Sequence, residues 1–332
     1  MTGNEAVVKG AIRAGAKIMC GYPITPATEI LQEWSKIAEV NKNIKIIQSE
    51  DEISAGFNVI GAIIAGSKAF SASAGPGHIL MQDSLSMAEA MRLPFVGVMM
   101  MRGGPSTGTV IYGQQELNLA CYGGNGEGHR IVYSASSPQE LFEYTIKSFY
   151  SAWKYRFPTI LLGDGYISKM STEVNININF DICSSEPILN HKHFNMRNCF
   201  NIEEELANNI MINDRDYHNI IPKVVESEQY KIADANKVII AHGIVANAAR
   251  DAVDTLRHRG KKVGLFRPIS IKPMDFVTLS RIASRVDEIL IAESSLGHLE
   301  RIIKSGIYGL VRIKTIQKPA QLVSPEEMIK KI

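Results

Sequence analysis

Short runs of uninterrupted apolar residues recur between helical stretches through the first half of the chain: AKIMC (16–20), IKIIQ (44–48), KAFSA (68–72), PFVGVMMM (94–101) and FPTILLG (157–163). A strand that is apolar on both sides needs cover on both faces, which antiparallel hairpins seldom provide. Helical stretches at 4–14, 27–39, 52–65, 79–91 and 137–154 fill the intervals and supply that cover. The rhythm predicts an open α/β domain built on a parallel sheet over residues 1–170. It resumes with ANKVIIAHG, a helix through IVANAARDAVDTLRHRG closed by Gly260, and the strands KKVGLFRP, DEILIAES and LVRIKT, predicting a second, smaller α/β domain over 236–332. Between them, 171–235 reads as a connecting segment. STEVNININF alternates like a half-exposed strand, and the Asn-, His- and charge-rich stretch that follows lacks a core of its own.

Composition narrows the functional classes. With 332 residues, 45% hydrophobic content and a net charge of +2, the chain has sizeable cores and no electrostatic reason to bind nucleic acid or an anionic membrane. The opening MTGNEAVVKGAIRAG lacks a signal-peptide core and no apolar run approaches a bilayer span, so the expected compartment is the cytoplasm. Cys20, Cys121, Cys183 and Cys199 form no C-x-x-C pair, and His191 and His193 read as exposed linker residues. No metal site is expected.

In a parallel sheet, ligands gather beyond the carboxyl ends of the strands. Four loops fall there: GYPITP after the first strand, QSEDE after the second, SASAGPG after the third and MRGGPSTGT after the fourth. In GYPITP, Pro23 and Pro26 stiffen Ile24 and Thr25, and Pro26 suits the first turn of the next helix. In QSEDE, three acids open a helix whose apolar stripe is Ile53, Phe57, Ile60 and Ile64. They serve either the helix dipole or, if one is partly buried, proton sharing with a heteroaromatic ligand. Gly75-Pro76-Gly77 allows close backbone approach but fits neither the Walker nor the dinucleotide fingerprint. Arg102, amid glycines and hydroxyls, is built to take a carboxylate through two parallel hydrogen bonds.

Together these loops resemble the alpha subunit of 2-oxoacid:ferredoxin oxidoreductases. GNEAVVKGAIRAG, GYPITPATEI, QSEDEI, SAGPGHILMQDSLSMAEAMRLP and MRGGPSTGT carry the resemblance in order, continued by SSPQELFEY, KYRFPTILLGDGY and GLFRPISIKP. The resemblance implies a pyrimidine-binding thiamine diphosphate domain followed by a domain of transketolase C-terminal type. It implies oxidative decarboxylation of a 2-oxoacid, acyl transfer to coenzyme A and electron delivery to ferredoxin. A beta subunit would carry the diphosphate, its Mg2+ and a [4Fe-4S] cluster, with gamma and delta subunits as further partners, so this chain alone should be inactive.

Residue by residue, the resemblance makes Glu52, nine positions before Gly61, the partner of the thiamine N1′ proton, with Glu50 as the fallback. It places Tyr22, Pro23, Ile24, Gly75, Pro76 and Gly77 against the cofactor and Thr25 and Arg102 against the substrate. Ser106, Thr107 and Thr109 would contact the rest of the substrate or coenzyme A. The RGGPSTG form is closer to the 2-oxoglutarate enzymes, making 2-oxoglutarate the expected substrate. The following TVIYGQQELN lacks the proline-threonine pair of that type, leaving pyruvate or a branched-chain 2-oxoacid as alternatives. Two other classes stay open: a non-oxidative thiamine decarboxylase or carboligase, and a non-catalytic partner-binding subunit.

Overall fold

The structure is a computed structural model that describes residues 1–188 and 196–332; His191 and His193 lie outside the described residues. The first domain interleaves strands β1 (Ile18–Gly21), β2 (Lys45–Gln48), β3 (Ala69–Ser73), β4 (Val96–Met101), β5 (Ile131–Ser134) and β6 (Thr159–Asp164) with helices. These are α1 (Gly3–Arg13), α2 (Thr28–Val40), α3 (Glu52–Ile64), α4 (Pro76–Leu80), α5 (Gln82–Ala90), α6 (Leu117–Tyr122), α7 (Pro138–Tyr155) and α8 (Gly165–Lys169). After α9 (Glu203–Val224) come β7 (Ser227–Tyr230), β8 (Lys237–Ile240), α10 (Gly243–His258), β9 (Val263–Pro268) and β10 (Ser270–Lys272). The chain ends through α11 (Phe276–Ala283), β11 (Glu288–Glu293), α12 (His298–Ile307), β12 (Arg312–Gln317) and α13 (Pro325–Lys331).

Among the described residues the first sheet runs β10-β5-β6-β4-β3-β1-β2 and the second β12-β11-β8-β9-β7. β1 to β6 are mutually parallel, so β1, β2, β3 and β4 all end on one rim. Helices α2 and α7 pack on one face of this sheet, and α3 on the other, with α5 against α3. Burial on both faces is why β3, β4 and β6 are wholly buried and read as apolar runs.

Several elements depart from the sequence reading. β5 (IVYS) and the three-residue β10 (SIK) are additional strands, and β10 crosses from the second domain to pair antiparallel with β5. The stretch 171–180 forms no ladder. It makes a single bridge, Thr2 to Ser171, and the Gln139 side chain binds the Asn175 backbone through both amide atoms in place of a neighbouring strand. The presumed connector holds a 22-residue helix, α9, and an edge strand, β7, antiparallel to β9. Only Asn213, Tyr217, Ile220 and Val224 of α9 are buried, a narrow stripe that the surrounding polar residues hide. The helix expected over 79–91 breaks at Met81 into α4 and α5.

The two domains are joined by buried polar contacts. Gln114 donates to the His242 carbonyl at 3.0 Å and accepts from the Ser294 N–H at 2.9 Å. Ser134 Oγ lies 2.9 Å from His242 Nδ1, and Arg267 of β9 pairs with Glu140 of α7 through both nitrogens. Each of these bonds pairs a buried group with one from the other domain, which offsets part of the cost of burying it.

One face of the first domain is knit by an aromatic row from α2 through β3 to α7. Trp34 and Phe70 stand edge to face with centroids 5.0 Å apart, and Phe70 and Phe149 at 5.9 Å. All three rings are fully buried. Phe70→Ala should lower the urea-unfolding free energy of this domain by about 3–5 kcal/mol, the cost of a large buried cavity. A loss below about 1 kcal/mol would show that the row does not carry the core.

Candidate active site

The acids of QSEDE have three different environments. Glu50 is exposed. Asp51 caps α3, accepting from the Ser54 N–H at 2.7 Å, and that bond holds its carboxyl below the ordinary range. Glu52, the first residue of α3, is 3% exposed. The buried face of α3 is Glu52, Ala55, Gly56, Val59, Ile60 and Ile63, not the stripe through Ile53, which is 40% exposed. The helix is apolar almost all round, so the face turned to the sheet is set by packing, and that face carries Glu52 inward.

Inside, Ser73 Oγ at the end of β3 donates to Glu52 Oε1 at 3.4 Å. Burial raises the Glu52 carboxyl above its ordinary range despite the opposing backbone N–H, Ser73 hydroxyl and Arg102 charge, with Asp51 adding a small upward push. A Cβ on Gly77 would stand 2.0 Å from Glu52 Oε1 and 2.2 Å from Ser73 Oγ, so the carboxyl occupies the space this glycine leaves. Gly61, by contrast, has open space where a Cβ would sit. One hydroxyl at 3.4 Å leaves Glu52 with capacity for a ligand's ring nitrogen, which fits the aminopyrimidine of thiamine.

The other loops close around Arg102. Arg102 is 4% exposed, and its Nη1 donates to the Thr25 carbonyl at 2.7 Å. A Cβ on Gly75 would lie 2.6 Å from Arg102 Nε, so the guanidinium lies over that glycine, whose φ is +52°. Nε itself is buried without a partner, a donor left for an anion. Tyr22, Pro23 and Thr25 are exposed on the rim, Ile24, Gly75 and Pro76 half-buried, and Gly77 buried. Pro26 is not in the first turn of α2. The Thr25–Pro26 bond is cis, the Pro26 carbonyl accepts from Asn4 Nδ2 at 2.9 Å, and the helix starts at Thr28.

Ser106, Thr107 and Thr109 lie exposed on the loop after Arg102. Thr109 N–H donates to the Gly103 carbonyl at 2.7 Å, and a Cβ on Gly108 would come within 1.7 Å of that oxygen, so this turn is tight. The sequence reading passed over the residues that hold the loop. Glu116 accepts from the Arg102 N–H at 2.9 Å and meets His78 Nδ1 at 3.0 Å; Gln115 accepts from Gly104 N–H at 3.1 Å. Their signal was present in QQE, three consecutive hydrogen-bonding side chains of which Gln114 and Glu116 are buried. A cavity of about 260 Å³ opens beside Arg102, bordered by Gly75, Ile79, Ser106 and Glu116.

Comparison with known proteins identifies the family of the chain. Residues 9–237 match the family described as pyruvate flavodoxin/ferredoxin oxidoreductase, thiamine diphosphate-binding, and residues 235–328 match pyruvate:ferredoxin oxidoreductase core domain II. The ketoisovalerate oxidoreductase subunit VorB of Methanothermobacter marburgensis is 34% identical over 312 residues, covering 91% of this chain and 88% of that one. The 2-oxoglutarate synthase subunit KorA of Methanocaldococcus jannaschii is 30% identical, covering 92% and 91%. Among solved structures, the 2-oxoglutarate:ferredoxin oxidoreductase of Magnetococcus marinus, with 2-oxoglutarate, coenzyme A and succinyl-CoA bound, superposes with a TM-score of 0.86 at 26% identity. That match covers 99% of this chain, which spans 64% of the other's length. A split-gene transketolase, an inactive beta4 tetramer, shares the fold at TM-score 0.62 and 12% identity.

Two glycines of the site region should respond oppositely to a methyl group. Gly77→Ala should displace Glu52 and lower the thermal midpoint by several degrees, as overpacking costs about 1–3 kcal/mol. Gly61→Ala, in open space within a helix, should raise stability by about 0.5–1 kcal/mol. Equal responses in thermal unfolding would mean that Glu52 does not fill the Gly77 gap.

Proposed function

We propose that this chain, which belongs to the pyruvate flavodoxin/ferredoxin oxidoreductase family, is the alpha subunit of a thiamine diphosphate-dependent 2-oxoacid:ferredoxin oxidoreductase acting on 2-oxoglutarate. The observation that carries the reading is the convergence of a buried carboxyl, Glu52, and a buried guanidinium, Arg102, on one rim, each seated over a glycine of the same Gly-Pro-Gly turn. The relatives bear subunit names, which supports a multi-subunit enzyme. A beta subunit holding the diphosphate, Mg2+ and an iron–sulfur cluster completes the proposed assembly, with ferredoxin as electron acceptor and coenzyme A as acyl acceptor.

When bound, thiamine diphosphate supplies the nucleophilic carbon and the electron sink that let a 2-oxoacid lose carbon dioxide. The chain's own residues then have separable tasks. Glu52, kept above the ordinary carboxyl range by burial, holds or shares a proton at the pyrimidine N1′. Arg102 takes the substrate carboxylate, using the Nε donor that the protein leaves unpaired. Thr25, its carbonyl fixed by Arg102, presents its hydroxyl at the exposed rim beside that carboxylate. Ser106, Thr107 and Thr109 offer hydroxyls to the rest of the substrate or to coenzyme A.

A branched-chain 2-oxoacid is the second reading. Val110 and Ile111, 46% and 55% exposed, follow the Arg102 loop in TVIYGQQELN, the stretch that lacks the proline-threonine pair of the 2-oxoglutarate type. The VorB relative, at 34% identity, bears a ketoisovalerate name.

The test is viologen-dye reduction by the chain assembled with its beta partner, supplied in turn with 2-oxoglutarate, 3-methyl-2-oxobutanoate and pyruvate. Turnover strictly dependent on coenzyme A is expected, fastest with 2-oxoglutarate. Aldehyde release without dye reduction would instead identify a non-oxidative decarboxylase, and no turnover with any 2-oxoacid a non-catalytic subunit. Arg102→Lys, which loses the planar fork, should raise KM at least about tenfold, and Thr25→Ala should lower kcat/KM, both in complexes that still assemble.

A further inference from the structure

The cavity beside Arg102 has one wall that the first domain does not supply. His298, the first residue of α12 in the second domain, lines it together with Gly104, Pro105 and Ser106. The backbone around this histidine is already satisfied. Glu293, buried at the end of β11, accepts from the Leu299 N–H at 2.9 Å and the Glu300 N–H at 3.0 Å, and from the Ser295 hydroxyl. The helix end is therefore capped by protein, and the imidazole is the group left over. Its Nδ1 is buried with no hydrogen-bond partner. Buried polar atoms without partners are uncommon in folded proteins and mark places where a further group completes the set.

The position of His298 relative to Arg102 is fixed by the domain junction. Gln114 N–H donates to the Ser294 carbonyl at 3.1 Å, and the Gln114 side chain returns a bond from the Ser294 N–H at 2.9 Å. Next in sequence, Gln115 and Glu116 take the N–H groups of Gly104 and Arg102. A continuous ladder of hydrogen bonds thus runs from the arginine loop to Ser294, four residues before His298. Partial burial, with Arg301 nearby, holds the imidazole below its ordinary pKa, so at neutral pH it offers one donor and one acceptor and no charge.

We propose that His298 is a specificity-determining residue, a neutral hydrogen-bonding group from the second domain that reads the substrate's side chain while Arg102 holds its carboxylate. The inference rests on the 2-oxoacid reading of the site. A 2-oxoacid with a polar side-chain terminus gains a partner at His298, and one with an alkyl side chain leaves the ring unpaired. A site built to hydrogen-bond a substrate group discriminates against analogues that lack it.

The test uses the alpha–beta complex and the ratio of kcat/KM for 2-oxoglutarate to that for 3-methyl-2-oxobutanoate. His298→Ala should lower this ratio at least about tenfold while turnover with pyruvate stays within about twofold. His298→Gln, which keeps an amide donor and acceptor, should recover most of the ratio and provides the readout if the alanine variant assembles poorly. A ratio unchanged within about twofold in both variants, or an equal fall with all three substrates, would overturn the specificity role and leave the oxidoreductase reading standing. A wild-type complex inactive with every 2-oxoacid would overturn that reading and this inference with it.

Discussion

Glu52 is buried at the junction of α3, β3 and α4, and the site's geometry depends on how the protein accommodates it. Taking a carboxyl out of water is costly unless it is protonated, paired or hydrogen-bonded. Here the carboxyl has one hydroxyl neighbour, Ser73, and room made by the missing side chain of Gly77. The same Gly-Pro-Gly turn carries Gly75, over which Arg102 lies, and Arg102 in turn grips the Thr25 carbonyl. Loops from three strands are therefore held by one another's side chains, and none can shift without disturbing the carboxyl.

The second domain is part of this arrangement. One apolar core runs through both domains, and buried polar groups lie at their junction, where burial sets the ionisation of two of them. Burial pushes Asp164 up to about 6 while it caps α8 through the Tyr166 and Ile167 N–H groups. Burial and the nearby Arg267 hold His242 down to about 3 where it meets Ser134. Directional bonds added to that apolar packing fix orientation more tightly than the packing alone would, because each bond is lost as the faces slide. The rim loop from Arg102 to Glu116 is anchored into that junction through Gln114, so substrate contacts and domain docking share one set of bonds.

What could be read in the sequence follows from how each signal arises. Parallel strands buried on both faces write themselves as apolar runs, so β1, β3, β4 and β6 were legible, and the mostly exposed edge strand β2 showed through its Ile46-Ile47 pair; with them came the rim where the loops gather. The three-residue β10 carries too few positions to show a pattern, and β5, as long as β1 and β2, was not legible. Alternation in STEVNININF predicted a strand, but alternation describes only the chain's own half of a ladder, and the Gln139 side chain binds Asn175 there instead. Helix α9 was hidden because its buried stripe is narrow. The resemblance put Glu52 ahead of Glu50 through its nine-residue register to Gly61, but periodicity could not, since α3 is apolar almost all round and only packing decides which side turns inward. His298 carried no signal, because its neighbours in the cavity come from residues about 200 positions earlier in the chain.

The central claim is that the buried Glu52 carboxyl is the proton partner of the cofactor's pyrimidine. The most direct measurement is steady-state viologen reduction by Glu52→Gln in the assembled complex, with bound thiamine diphosphate quantified in the same preparation. The account predicts that kcat falls by about 10²–10⁴, the usual worth of a positioned acid–base group, while cofactor content and subunit stoichiometry hold. Turnover within a few-fold of wild type, with cofactor bound, would contradict it and remove Glu52 from the chemistry.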